Sequence, residues 1–318
     1  MTEIGGFIRP TRRPGALGIH SLDHFSMTVP DLARAREFYT TFGLDVREED
    51  GKLGLYIAGQ AHRWALLSAG REKRLHYLSF GAFEDDMQRF RDRFGHLNIE
   101  RLPPPPGFES NGLWFRDPDG TPIEIKVAQK TSPSEKSTFE AAPNAGSLRG
   151  APIRKQGGPV TPRRLAHLAV YTRDVTKAIA FYRDVLGLRL SDQSGGNVAF
   201  LHGVHGSDHH LVAFARSEGP GLHHCSWDVG SIADIGLGAM QMAKGGFVQG
   251  WGVGRHVLGS NYFHYVRDPW GSYSEYSADM DYIPVDLDWN AEDHADEDAF
   301  YQWGPNPPDD FIRNYEVS

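Results

Sequence analysis

The feature that most constrains the fold is an internal repeat, because two distant stretches of the chain match in order and in kind. SLDHFSMTVPDLARAREFYTTFGLDV (21–46) aligns with RLAHLAVYTRDVTKAIAFYRDVLGLRL (164–190). In each stretch a strand-like run leads to an aspartate, Asp31 or Asp174, which is a favourable helix N-cap. Apolar residues then recur at helical spacing until a glycine, which predicts a helix with a glycine at its C-terminal end.

The repeat continues and reveals two units in each half. RLHYLSF (74–80) aligns with GLHHCSW (221–227), and each is followed by a segment that we predict to be helical, 83–94 or 231–244. Next, FRDPDGTPIEI aligns with VRDPWGSYSEY, which predicts two strands joined by an Asp-Pro turn with glycine. Four units of strand, helix and several strands predict an α+β fold with helices outside and curved mixed sheets within.

Changes in composition indicate the domain organisation. Residues 1–128 are predicted to form an N-terminal domain and residues 164–280 a C-terminal, catalytic domain. Residues 129–163 are rich in Pro, Gly, Ser and Lys and are predicted to be a linker. The tail, 281–318, is acidic but carries scattered aromatic residues, so we expect it to pack on the body.

Charge, hydropathy and cysteine content exclude several classes of protein. The formal net charge is −8 and no basic stripe stands out, which argues against nucleic-acid and membrane-surface partners. No apolar run is long enough to span a bilayer, and the N-terminal segment lacks the apolar region of a secretory signal. A single cysteine, Cys225, allows neither an intrachain disulfide nor a cysteine-based zinc site. The sequence therefore predicts a soluble, cytoplasmic protein.

The alignment of the two halves singles out three residues of the second half. His167 and Glu275 each align with the same residue type in the first half, whereas His224 aligns with Tyr77. Only the second half offers two imidazoles and a carboxylate, so the first half is predicted to hold no catalytic metal. On one face of a metal ion such a set leaves up to three positions open, which suits Fe(II) or Mn(II). Spacing alone also allows a glyoxalase-type site or the site of a resistance protein.

Four motifs resemble a known family. LAHLAVYTRDVTKAIAFYRDVLGL, HHLVAF, LHHCSWDV and GRHVLGSNYFHYVRDPWGSYSEY are similar to motifs of the type I extradiol, or meta-cleaving, catechol dioxygenases. The likeness is greatest to 2,3-dihydroxybiphenyl 1,2-dioxygenases and catechol 2,3-dioxygenases, and it covers roughly residues 20–128 and 163–280. These enzymes belong to the vicinal oxygen chelate superfamily. The resemblance implies two domains, each built from two paired βαβββ modules.

The resemblance also implies which residues hold the metal. The ligands would be His167, His224 and Glu275, and the ion would be Fe(II), with Mn(II) as the alternative. His224 is thus the ligand of the adjacent histidine pair. Because side chains alternate along a strand, His223 is expected to point the other way, although it can still border the substrate pocket.

Three further residues take catalytic roles by resemblance. His210 would be the acid–base residue, while His256 and Tyr265 would hydrogen-bond the substrate oxygens. One position departs from the pattern, because Gly259 stands where some members of the family have a carboxylate. We expect a wider pocket there and no step that uses that carboxylate.

The resemblance implies a function as well as a site. It predicts cleavage of a catechol ring next to its paired hydroxyls, with both atoms of O2 incorporated, in the degradation of aromatic compounds by a homo-oligomer. The alternative is a glyoxalase-like, metal-dependent isomerase or lyase, which would have no use for His210 and Tyr265. A ligand-sequestering module of the bleomycin-resistance type normally lacks a metal triad and is disfavoured by the candidate ligands.

Overall fold

The described residues form two large mixed β-sheets, one in each half of the chain, with helices packed on them, and a small two-stranded sheet in the second half. The structure is a computed structural model that describes residues 11–108, 110–140, 146–147, 149–153 and 157–317. The predicted α+β fold with repeated units is confirmed. None of the helices in the described ranges combines the length and apolar character that a membrane span requires.

The first half forms a seven-stranded sheet with the strand order β2-β3-β4-β1-β5-β7-β6. Its elements are β1 (Ser21–Val29), α1 (Leu32–Thr41), β2 (Asp45–Glu49), β3 (Lys52–Tyr56), β4 (Arg63–Ala69), β5 (Arg74–Ala82), α2 (Met87–Leu97), β6 (Leu113–Arg116) and β7 (Pro122–Val127). The predicted bounds of the helix at 83–94 were wrong. Residues Glu84–Asp86 form a 3₁₀ turn, and the helix continues to Leu97, because it ends where Asn98 adopts a left-handed conformation.

The second half repeats this arrangement in a nine-stranded sheet, ordered β14-β15-β16-β13-β8-β12-β10-β9-β18. Its elements are β8 (Arg164–Thr172), α3 (Val175–Leu186), β9 (Arg189–Ser194), β10 (Val198–His202), β11 (Ser207–Asp208), β12 (Val212–Arg216), β13 (Gly221–Asp228), α4 (Ile232–Lys244), β14 (Gly250–Arg255), β15 (Tyr262–Arg267), β16 (Tyr273–Ala278), β17 (Tyr282–Ile283), β18 (Glu292–His294) and α5 (Asp296–Ala299). In both halves the first strands of the two units pair antiparallel at the centre of the sheet.

The predicted helix caps of the repeat are present in both halves. The side chains of Asp31 and Asp174 each accept a hydrogen bond from the backbone amide three residues later. Gly187 caps the C-terminus of α3 with a φ of 76°, and Gly43 follows the C-cap of α1 with a φ of 98°. Glycine suits both positions because it has no Cβ to disfavour the left-handed region.

The two halves share one hydrophobic core. Phe42 of the first half stacks on Tyr276 of β16 with ring centroids 3.9 Å apart, and the Tyr276 hydroxyl donates to the Phe42 carbonyl. Since Tyr276 directly follows Glu275, this contact also anchors the strand that carries one candidate ligand.

The domain boundaries drawn from the sequence stay predictions. Residues 1–10, several positions of the predicted linker (141–145, 148 and 154–156) and Ser318 lie outside the described residues.

The C-terminal tail contacts the second half at several points. β18 pairs parallel with β9, and Trp289 donates from Nε1 to the Ser191 carbonyl at 2.9 Å. Phe311 is buried in a second aromatic cluster. The buried members of this cluster are Trp251, Phe263, Tyr265, Tyr273 and Phe311. The tail therefore packs on the second half and extends its sheet at one edge.

Three buried histidines lie apart from the candidate site. The side chains of His20, His202 and His205 hydrogen-bond to neighbouring groups, and the residues are 0 %, 5 % and 1 % exposed. Burial lowers the pKa of His20 and of His205 to about 4 and that of His202 to about 3. All three are therefore neutral in the folded protein at mildly acidic pH, where an unfolded chain would protonate them.

We predict that the free energy of unfolding decreases steeply as the pH falls below the pKa of free histidine, about 6.5. Between pH about 6.5 and pH about 4 the unfolded state binds up to three more protons at these residues than the folded state. Three protons correspond to a slope of about 4 kcal/mol per pH unit near pH 5. The contribution is fully present above the unfolded pKa and is lost as the pH falls toward the folded values.

Urea unfolding at several pH values between 7 and 5 measures this slope. A His202→Gln variant lacks one of the three groups. The slope of its free energy of unfolding against pH should therefore be smaller by the contribution of about one proton. Equal free energies of unfolding at pH 7 and pH 5 would contradict the prediction.

Candidate metal centre

Three neighbouring strands carry the candidate ligands. β13 lies between β8, to which it runs antiparallel, and β16, to which it runs parallel. Ser226 of β13 stands opposite both His167 on β8 and Glu275 on β16. His224 lies two residues before Ser226 and hence on the same face of the strand. The sheet register therefore brings the three side chains together.

The candidate donor atoms form a compact, buried triangle. His167 Nε2 lies 3.1 Å from His224 Nε2 and 3.3 Å from Glu275 Oε2. The distance from His224 Nε2 to Glu275 Oε2 is 3.6 Å. Bonds of about 2.1 Å at right angles around an octahedral ion would set neighbouring donors about 3 Å apart. The triangle therefore matches one face of a six-coordinate metal ion.

Unsatisfied polar atoms in this triangle also indicate a cation. Glu275 Oε2 and His167 Nδ1 are buried without a hydrogen-bond partner in the described part of the chain. Burying a charged oxygen without a partner is costly, and a cation between the three donors would remove that cost. Within the described ranges, no other group of three or more His, Cys, Asp or Glu side chains converges in this way. The residues present thus fit a divalent metal.

The protonation states favour metal binding. Burial, together with the neighbouring imidazoles, lowers the pKa of His224 well below its usual value. Burial opposes ionisation of Glu275, but the neighbouring imidazole of His167 holds the pKa of this carboxyl below its usual value. A neutral imidazole and an ionised carboxylate are the forms that bind a metal.

The structure corrects the prediction that His223 points away from His224. A β-bulge between Leu222 and His224 breaks the alternation of side chains, and the Nδ1 atoms of the two imidazoles lie 2.6 Å apart. His223 Nε2 donates to the Phe311 carbonyl at 3.0 Å, because a carbonyl oxygen only accepts. His223 Nδ1 therefore accepts from His224 Nδ1, which leaves the lone pair of His224 Nε2 for a metal. Both nitrogen atoms of His223 bond to protein, so it offers no free polar group to a substrate.

The residues expected to act on the substrate lie around the triangle. The ring centroid of His210 is 4.1 Å from that of His167, and His256 Nε2 is 3.9 Å from Glu275 Oε1. Burial lowers the pKa of His210 well below its usual value, so its imidazole is neutral near pH 7. Its Nε2 atom forms no hydrogen bond within the described part of the chain.

Tyr265 and His256 form a hydrogen-bonded pair. His256 Nδ1 donates to the Phe300 carbonyl at 2.8 Å, so its Nε2 accepts from the Tyr265 hydroxyl at 2.9 Å. Burial and the charge of Glu275 raise the pKa of Tyr265 well above its usual value. The phenol therefore stays protonated and acts as a hydrogen-bond donor.

The analysis of the sequence missed Asn261. Its Nδ2 donates to Glu275 Oε1 at 3.1 Å and to Ser277 Oγ at 2.9 Å, and the residue is 1 % exposed. This hydrogen bond engages Oε1 of the carboxylate, while Oε2 faces His167 and His224. An asparagine shortly after a glycine is ordinary in a turn, so the sequence carried no signal of this role.

In the first half, the aligned residues bond to one another. His24 lies between the Asp23 carboxylate, at 2.6 Å, and the Tyr77 hydroxyl, at 2.9 Å. Glu124 accepts from the Ser79 hydroxyl at 2.5 Å. Tyr77 thus occupies the place of a second imidazole, and protein groups engage both ring nitrogens of His24.

Comparison with known proteins identifies the family. The model of the Glyoxalase/Bleomycin resistance protein/Dioxygenase superfamily matches residues 21–125 and 164–276. The chain belongs to this superfamily. Metapyrocatechase 2 from Cupriavidus necator is 49 % identical to it over 97 % of this chain and 96 % of that protein. Within the superfamily the chain is an extradiol dioxygenase, as its motifs predicted.

More distant proteins also match nearly the whole chain. The manganese-dependent 2,3-dihydroxybiphenyl 1,2-dioxygenase of Geobacillus genomosp. 3 is 23 % identical over 90 % of this chain and 94 % of its own. The crystal structure of the Mn(II)-bound glyoxalase from Novosphingobium aromaticivorans superposes with a TM-score of 0.74 and 24 % identity, covering 92 % of this chain and 93 % of that one. The predicted vicinal oxygen chelate fold is thereby confirmed.

We predict that Asn261→Ala weakens metal binding. Loss of its hydrogen bond frees the Glu275 carboxylate to rotate, and removal of such a contact to a ligand typically costs about 10- to 100-fold in affinity. Competition with a chelator measures the Kd for Fe(II) and Mn(II). Asn197→Ala, which removes an exposed amide bonded to Asp296, should bind both ions like the wild type. An unchanged Kd in Asn261→Ala would contradict the prediction.

Proposed function

We propose that the protein cleaves the ring of a catechol next to its paired hydroxyls and incorporates both atoms of O2, at a metal held by His167, His224 and Glu275. The observation that carries this proposal is the buried triangle of two imidazoles and one carboxylate. We propose Fe(II) as the metal, with Mn(II) as the alternative, because this donor set suits either ion. Association into a homo-oligomer stays a prediction.

The chemistry of the bound metal and that of the protein are distinct. A metal held by His167, His224 and Glu275 would supply the means to bring catechol and O2 together and to transfer electrons between them. The protein supplies a buried surrounding in which hydrogen bonds to the substrate are strong. The names of the relatives, metapyrocatechase and 2,3-dihydroxybiphenyl dioxygenase, support a catechol-type diol as the substrate.

We assign the orientation of the substrate to Tyr265 and His256. Tyr265 remains protonated and its hydroxyl can donate to a substrate oxygen in place of His256 Nε2. His256 is held by its bond to the Phe300 carbonyl, so its Nε2 faces the site as an acceptor. A donor and an acceptor side by side distinguish an ionised catechol oxygen from a protonated one.

We assign proton transfer to His210. Its imidazole is neutral, its Nε2 has no hydrogen bond to the residues that the structure describes, and its ring lies against that of His167. A neutral imidazole can accept a proton from a catechol hydroxyl and return it to an oxygen atom during ring cleavage.

We assign to His223 the orientation of a ligand rather than contact with the substrate. Its bonds to the Phe311 carbonyl and to His224 Nδ1 set the tautomer and the ring angle of His224. Such bonds to a metal ligand commonly fix its geometry and raise its basicity.

The proposed function predicts O2 consumption that depends on catechol. Anaerobically purified protein loaded with Fe(II) should take up one O2 per catechol and form a yellow ring-fission product, measured with an oxygen electrode and by visible absorption. Mn(II)-loaded protein, measured in parallel, identifies the preferred ion. A protein that holds one metal per chain but consumes no O2 with a panel of catechols would refute the proposal and favour an isomerase.

Substitutions separate the ligands from the acid–base residue. Glu275→Gln and His224→Gln should lose bound metal, and with it activity, because each removes a donor of the triangle. His210→Gln should keep its metal but lose about 10²- to 10⁴-fold in kcat, the usual contribution of a general acid–base group. His96→Gln alters an exposed histidine of α2 and is the matched control, expected to resemble the wild type. Normal metal content in Glu275→Gln and in His224→Gln would overturn the ligand assignment.

A further inference from the structure

A line of hydrogen bonds leads away from the candidate metal behind His210. His210 Nδ1 lies 3.1 Å from His209 Nδ1, and His209 Nε2 lies 2.9 Å from Asp192 Oδ2. The three residues are 3 %, 1 % and 6 % exposed. Neither His209 nor Asp192 has a part in the functions assigned above, and His209 bonds to none of the candidate ligands.

Asp192 determines where the protons of this line lie. An ionised carboxylate only accepts, so the proton of its bond with His209 is on Nε2. Burial acts against ionisation, but hydrogen bonds from His209 and from the Glu292 amide hold the pKa of Asp192 below its usual value. The second oxygen of Asp192 also contacts His294 Nε2 at 3.2 Å. The proton between the two Nδ1 atoms therefore belongs either to His210 or to His209.

The two positions of that proton give His210 opposite properties. When His210 Nδ1 carries the proton, His209 is neutral and His210 Nε2 is a base. When His209 Nδ1 carries it, His209 is a cation beside Asp192, and His210 carries its own proton on Nε2 as an acid. His210 carries one proton in both arrangements, and only the nitrogen atom that holds it differs.

We propose that His209 and Asp192 form a proton relay that stores a proton of the substrate during catalysis; this rests on the proposed function. When catechol binds, its O–H bond breaks and the proton goes to His210 Nε2, while the Nδ1 proton of His210 passes to His209. The resulting imidazolium is stabilised by Asp192. When an oxygen atom is protonated during ring cleavage, His210 Nε2 gives up its proton and His209 returns the one that it stored. The relay then has its starting number of protons, and only catechol and O2 react.

The backbone around the relay holds it in place. The His209 amide donates to the Asp281 carbonyl at 2.7 Å, and the Ser191 hydroxyl donates to the His209 carbonyl at 2.5 Å. Gly259, with a φ of 86°, lies against the junction of the two imidazoles, and a Cβ there would stand 3.5 Å from His209 Nδ1 and from His210 Cε1. Gly259 offers no carboxylate at this position. The carboxylate connected to His210 is that of Asp192, and the connection runs through His209.

His209→Gln tests the relay, because glutamine can bond to both neighbours but cannot pass a proton between them. We expect kcat to fall about 100-fold, the usual scale of a lost proton transfer, with the KM for catechol, the metal content and the Tm unchanged. Asp192→Asn keeps the shape of the side chain but removes the charge that stabilises the cation, so kcat should fall about 10-fold at an unchanged KM. His205→Gln is the matched control, since it makes the same substitution at an equally buried histidine outside the relay, and its kcat should equal that of the wild type.

A smaller side chain provides a readout that a purely structural role would not change. His209→Gly leaves a space beside His210 and Asp192, and added imidazole should restore kcat about 10-fold or more, because it can carry the proton itself. The same concentration of imidazole should not increase the kcat of the wild type or of His205→Gln.

The outcomes separate the relay from the proposed function. A wild-type protein without ring-cleaving activity would refute both. If the wild type is active, His209→Gln and Asp192→Asn variants whose kcat stays within about threefold of it would refute only the relay. A loss of activity that merely follows a loss of metal or of Tm, without rescue by imidazole, would also refute it. If His209→Gln does not fold, Asp192→Asn decides the question by the same criteria.

Discussion

The pairing register of three strands is the constraint on which the site depends. β13 aligns His167 and Glu275 with Ser226 between them, and His224 projects from the same strand. A shift of one residue in either pairing would turn a donor to the opposite face of the sheet. Because the donors stand on paired strands rather than loops, their positions are fixed before any metal binds. This order accounts for three donor atoms within 3.6 Å of one another in a buried space.

The same arrangement buries the negative charge of Glu275, and neighbouring residues orient the donor atoms around it. A buried carboxylate whose inner oxygen has no hydrogen-bond partner in the described part of the chain lacks compensation, and a divalent cation would provide it. Asn261 then bonds to one oxygen of Glu275, and His223 bonds to the outer nitrogen of His224. Each contact leaves the inner donor atom free, so the orienting residues and a bound metal would engage different atoms of the same side chains.

The C-terminal tail takes part in the site although it carries no candidate ligand. The Phe311 carbonyl bonds to His223, and the Phe300 carbonyl bonds to His256. β18 brings the Glu292 amide and His294 to Asp192, which bonds to His209 beside His210. Three lines of hydrogen bonds thus run from the tail toward the residues around the metal. Docking of the tail and the geometry of the site are coupled through them.

The sequence by itself determined the repeated unit, the α+β class, the family and the three residues that the fold brings together as candidate ligands. These features are local or periodic: caps, helical spacing, Asp-Pro turns and the single difference between Tyr77 and His224 that distinguishes the halves. Only the tertiary structure placed Asn261 on Glu275 and Asp192 behind His209, because those contacts join residues 14 and 17 positions apart on different strands or turns. It also reversed the orientation expected for His223, since a bulge arises from how two strands pair and not from the residues of one strand alone. Side chains alternate only along a regular strand, and the candidate ligand His224 directly follows a bulge in β13.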